Sequence, residues 1–258
     1  DGAFVFAIAG SLTADLTLPD QMFVSNQVGR INATRDANII QGGDLEITST
    51  VFTLDISNSK EWDINGNTLE FDADVVLTTT TGTIDATGTG STVKYSTTWT
   101  ADIVSADFTS STIYNLTVDC DQDLTATNTL TITGTLTLEA GSDFDISGAS
   151  TLNMNGDFTD NGGDIASDAA TILVFGGSTS TDLVWDANCT ACDNLTINRS
   201  SGAKVTLGAN LTLAGDLTLT AGILSPGAFN LTFDANNTWT KTGGNLATDA
   251  GTVTINGG

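Results

Sequence analysis

The sequence has no histidine, and only 7 Lys+Arg stand against 31 Asp+Glu, a formal charge of −24 over 258 residues. Without an imidazole there is no Ser-His-Asp or Cys-His catalysis, no His-ligated zinc and no C-x-x-C-H haem attachment. Without a cluster of cations there is no footprint for phosphate, so nucleic acid and anionic lipid are excluded as partners. Prolines number two and glutamates four beside 27 aspartates, with Gly, Thr and Asn in excess. That balance describes short strands and tight turns rather than helices. Nowhere do about 18 apolar residues run together, so no insertion into a membrane by a helix is expected. The chain starts at Asp1 with no charged segment before GAFVFAIAG, which reads as a mature secreted product. An extracellular, cell-surface location is therefore expected.

What is present is repetition. TIYNLTV (112–118) returns as ACDNLTI (191–197), an offset of 79 residues. GTLTLEAG (134–141) returns as GDLTLTAG (215–222), and SDAATILVFGG (167–177) as TDAGTVTINGG (248–258), both offset by 81. TLNMNGDFTDNGG (151–163) corresponds to NLTFDANNTWTKTGG (230–244), and NTLEFDAD (67–74) resembles STLNMNGD (150–157). The chain thus divides into an N-terminal segment (1–40), a diverged repeat (41–110), a second (111–190) and a third, incomplete one (191–258).

Within each copy, stretches of three to five residues such as KVTL, LTL and DLTL alternate apolar residues with Thr and are separated by Gly, Asn or Asp. Alternation puts one face inward and the Thr face outward. Strands this short suit a coil of two or three faces stacked on itself at about 4.8 Å per coil. At roughly 18 to 22 residues per coil this predicts about 12 coils. The expected fold is all-β, a β-solenoid; tandem immunoglobulin-like sandwiches are the alternative, since 80–90 residues is also a domain size. No Cys…Trp…Cys framework and no linker composition support the sandwiches.

The string YNLTV…LTITGTLTLEAG…TLNMNGDFTDNGG…ATILVFGG resembles the degenerate Thr/Gly/Asn-rich repeats of large secreted prokaryotic surface proteins, namely β-helical adhesins, sheath or S-layer proteins and extracellular filaments. The resemblance is good over 111–258 and weak over 40–110. It implies an architecture and no catalytic residues.

Several residues invite chemistry. Asp119, Asp121 and Asp123 alternate, so one strand would project all three carboxylates from one face. Oxygen ligands of this kind suit Ca²⁺, the one cofactor the sequence suggests. Cys189 and Cys192 form a C-x-x-C that reads as a disulfide closing a corner, leaving Cys120 as a buried thiol. Sequons at Asn32, Asn115, Asn188, Asn194, Asn198, Asn210, Asn230 and Asn236 are glycosylation candidates, although Asn at equivalent corners can instead stack as an amide ladder. Trp62, Trp99, Trp185 and Trp239 could form a sugar-stacking stripe, but core packing is the better reading. Arg30, Arg35, Lys60, Lys94, Arg199, Lys204 and Lys241 are scattered, so no lyase-like cationic site is expected and the chain does not read as an enzyme.

The expected function is a structural subunit of an extracellular filament, sheath or surface layer, a homopolymer. Its assembly strand would be the most apolar run, with Phe4, Val5, Phe6 and Ile8 given to an open edge of a neighbour. A cell-surface adhesin or glycan-binding stalk is the alternative.

Overall fold

The computed structural model describes all residues except 1–4, 11–13, 21, 23–26, 36, 55–59, 73–75, 80–81, 97–100, 126–127, 169, 179–181, 186–191, 201, 235–236, 248 and 257–258. Every strand pairing in it is parallel, and the chain is a β-solenoid with a single 3-10 turn at Ser105–Asp107 among the described residues. The sandwich alternative fails here, because consecutive strands lie on different faces and pair with the next coil instead of with each other.

Three faces run along the rod. The longest sheet has 11 strands, from Leu16–Pro19 to Trp239–Lys241. Thr129 lies beside Thr151 and Thr151 beside Ile172, so a coil takes 22 and then 21 residues. A second face carries Thr68–Phe71, Thr92–Tyr95, Asn115–Val118 and Thr135–Leu138 in succession. The third carries Asp121–Leu124, Asp143–Ile146 and Asp164–Ser167. Further on, Cys192 bridges Leu213, and Leu211–Leu213, Leu231–Phe233 and Val253–Ile255 stack in turn.

The inward residues make one continuous apolar column. Leu116, Leu136, Leu152, Leu195 and Leu217 are all within 2% of full burial, as the alternation requires. Phe71 stacks on Tyr95, its in-register neighbour one coil on, with ring centroids 5.4 Å apart. Where coils turn, side chains disappear. A Cβ on Gly156 would run into the carbonyl of Gly134, one coil away.

The corners also account for the Asn and Asp excess. At strand starts a side-chain oxygen accepts a backbone N–H from the next coil. Asp15 Oδ1 takes Asn38 N–H, Asn38 Oδ1 takes Glu61 N–H, Asp44 Oδ1 takes Thr68 N–H and Asn115 Oδ1 takes Thr135 N–H. Further along, Asp182 serves Lys204, Asn194 serves Asp216, Asp216 serves Thr238 and Asn210 serves Asn230. These bonds measure 2.7–3.2 Å and span 20–24 residues, one coil. They satisfy N–H groups that the turning chain cannot pair with another strand. Only the oxygen is used at Asn210, so Asn210→Asp should shift unfolding free energy by less than about 0.5 kcal/mol. Asn194 also donates from Nδ2 to the Thr171 carbonyl at 2.9 Å. Asn194→Ala, which abandons both groups, should cost about 1–3 kcal/mol. Urea denaturation of the two variants checks the contrast.

Residues matched by the sequence repeat do not share a face. Asn115–Val118 lies on the second face, whereas Asn194–Asn198, its counterpart, lies on the longest. Ile172–Phe175 belongs to the longest face and its counterpart Val253–Ile255 to the continuation of the third. An offset of 79–81 residues divided by a 22-residue coil gives about three and two-thirds coils. Each copy therefore arrives one face out of step.

The N-terminal run expected to join a neighbour is paired within the chain. Val5–Gly10 pairs in parallel with its own chain, Val5 beside Arg30, Phe6 beside Ile31 and Ile8 beside Ala33. It is the first rung of its own coil, because its backbone finds partners there. Phe4 lies outside the described residues.

Candidate functional site

The third face concentrates the charge. Asp121, Asp143 and Asp164 stack in register, and beside them Asp123, Asp145 and Ala166. Partial burial, and then the carboxylates facing one another, push Asp123, Asp143 and Asp145 above the ordinary aspartate range. For Asp123 the neighbours are Asp102, Asp143, Asp121 and Asp168.

Asp119 does not join this group. It sits past the corner, in line with the second face, where its Oδ2 is 4.0 Å from Lys94 Nζ. Lys94 pairs more closely with Glu70 at 2.8 Å. Hydrogen bonds from Lys94 and Ser96 outweigh burial and draw the Glu70 carboxyl below its usual range. The three aspartates expected to hold Ca²⁺ are thus split by a corner between Val118 and Asp121. Among the described residues no group of three or more His, Cys, Asp or Glu is arranged to hold a metal ion.

The cysteines also differ from expectation. Cys192 is a free thiol, 1% exposed, whose side chain takes an inward position like that of Leu213 beside it. The expected corner bridge is not seen at Cys192, which is free and turned into the core; Cys189 lies outside the described residues. Cys120 is a buried free thiol, with burial pushing its pKa to about 11.

Of the sequon residues, Asn115, Asn194 and Asn210 serve the corner ladder described above. Asn198 and Asn230 are exposed. Asn32 lies in the strand Gln27–Arg35, and Asn188 and Asn236 fall outside the described residues. Trp62 and Trp185 are buried, Trp185 stacked on Phe158 at 5.5 Å and edge-on to Phe175 at 4.6 Å. Trp239 is 41% exposed and stacks on Phe233 at 6.0 Å, so these tryptophans form no outer stripe; Trp99 lies outside the described residues.

Arg199 is the one cation whose role the sequence hid. It is fully buried, and its Nη1 donates to the Gly156 carbonyl at 3.1 Å, 43 residues back. Desolvation lowers its pKa, against the opposing pull of Asp157 and Asp182. It ties a corner to the coils above it and points at no open cleft.

No family model, curated protein or solved structure matches the chain. The interior near Leu173, Phe175, Trp185 and Leu195 is closed to a water-sized molecule.

Proposed function

We propose that the chain is a structural subunit of an extracellular filament, sheath or surface layer, in which rods join end to end. What supports this reading is the build of the stack: parallel coils in register share one continuous apolar column, and each coil covers the one before it. End-to-end joining of two copies of such a stack brings together two different surfaces and so propagates. Mutual repulsion between rods of charge −24 opposes it at low ionic strength.

The 258-residue chain should therefore form oligomers that lengthen with concentration and salt, seen by sedimentation velocity and negative-stain microscopy. Wild-type protein that remains a monodisperse monomer at millimolar salt and at molar salt alike would sink the proposal.

A further inference from the structure

The longest face carries the longest uncharged outward column among the described residues; shorter ones, Thr117, Thr137 and Thr159 and then Thr212, Thr232 and Thr254, lie on the other faces. Reading outward positions up the rod in register, Thr112, Thr131, Asn153, Val174, Thr196, Thr218 and Thr240 form one unbroken column. Beside it Thr129, Thr151, Ile172 and Asn194 form a second. No charged residue occurs in Thr129–Ile132, Thr151–Met154, Ile172–Phe175, Asn194–Asn198 or Leu217–Ala221. On the third face of the same coils, five of the six outward positions from 121 to 166 are aspartate. Charge is thus kept off the longest face over the coils from Thr129 to Ala221, whereas the same face carries Glu61, Asp63 and Asp85 in earlier coils and Lys241 in a later one.

That face is also rigid and periodic. Thr and Val are β-branched and hold a narrow choice of χ1 in a strand, so each rung presents a methyl and a hydroxyl, or two methyls, in a fixed direction. Val174 has the shape of the threonines around it. Asn153 keeps the line by donating from Nδ2 to Thr131 Oγ1 at 3.3 Å. Rungs repeat at about 4.7–4.9 Å. Water oxygens hydrogen-bonded at about 2.75 Å in a tetrahedral net have second neighbours about 4.5 Å apart. The mismatch is about 0.3 Å per rung, and one water can bond two successive hydroxyls.

Other ligand classes fit less well. A sugar chain is held by aromatic stacking, and neither column contains a ring. An ion needs opposite charge, and the columns have none.

We propose that this face binds ice, holding an ordered water layer that merges with the crystal surface. The test is ice recrystallisation inhibition and thermal hysteresis with the whole chain. Wild-type protein should keep ice grains small in frozen sucrose, and Thr131→Tyr/Thr196→Tyr should lose this while circular dichroism stays unchanged. Thr117→Tyr/Thr137→Tyr, on the second face, should inhibit as wild type does. Grain growth equal to that with albumin would overturn the proposal, as would full activity in the Thr131/Thr196 variant. Pairing of rods through this face by light scattering, without an effect on ice, would overturn it too and identify the face as a self-association surface.

Discussion

Trp62→Ala should destabilise the rod by about 3–5 kcal/mol, the range for emptying a large buried aromatic site. The ring is fully buried on the longest face between Ile39 and Ile84, its in-register neighbours in the coils before and after. Its Nε1–H donates to Gln41 Oε1 at 3.2 Å, and Gln41 Nε2 donates on to the Thr68 carbonyl at 2.6 Å. Gln41 is itself only 2% exposed, so it relies on these bonds. Trp62→Phe keeps most of the apolar volume and takes away the donor. Its cost should be smaller, about 1–3 kcal/mol. Because the strand pairing of each coil is with its neighbours, the loss should appear first as local opening around residues 39–84, read by amide exchange. Equal costs for Phe and Ala would show that the hydrogen bond, and not the packing, dominates the site.

Acidification should stabilise this protein, the reverse of the usual behaviour. Asp123, Asp143 and Asp145 have pKa values raised in the folded state, so between those raised values and the ordinary aspartate range the native chain binds more protons than the unfolded one. Stability then rises as pH falls through those folded values. Glu70, drawn the other way by Lys94 and Ser96, contributes stability that is lost as pH falls from the ordinary glutamate range through its lowered folded value, which opposes the aspartates at the acid end. The melting temperature should therefore climb as pH falls from neutral toward the raised values of these aspartates. Molar salt, which shortens the Debye length from about 10 Å to about 3 Å, should raise it at neutral pH and do less once these carboxylates are protonated. Asp145→Asn should reproduce part of the gain, since it relieves Asp143 and Asp123 at once. A melting temperature that falls steadily over the same interval would mean that the aspartate columns do not govern the pH response.

How much of this was legible in the sequence depends on distance along the chain. The alternation in KVTL or TLTL is local, so the inward column of Leu136, Val205 and Leu217 could be read directly. Stacking between coils is a relation over about 22 residues, and the spacing of corner residues carried it well enough to identify a solenoid. The corner ladder was visible only as an alternative to glycosylation at Asn115 and Asn194, since a sequon and an Asn-Leu-Thr strand start are written alike. Corners themselves were the weak point. Alternation from Asp119 through Asp123 looks continuous in sequence, yet the chain turns after Val118 and sends Asp119 toward Lys94. Cys192 looked like half of a loop bridge because its neighbours are polar, although its own position follows the inward register. Arg199 gave no signal, because its partner Gly156 is a backbone carbonyl two coils away.

The mismatch between the 79–81-residue repeat and the 22-residue coil gives the rod a screw symmetry that neither period has alone. One repeat climbs about 18 Å and leaves its matched segments a third of a revolution out of phase. Three repeats, or eleven coils, are needed before the same segment faces the same way, an axial period of about 53 Å. A residue altered identically in every copy would consequently trace a spiral around the rod instead of a line along it. Gain or loss of one copy by unequal recombination would rotate every later coil relative to the earlier ones.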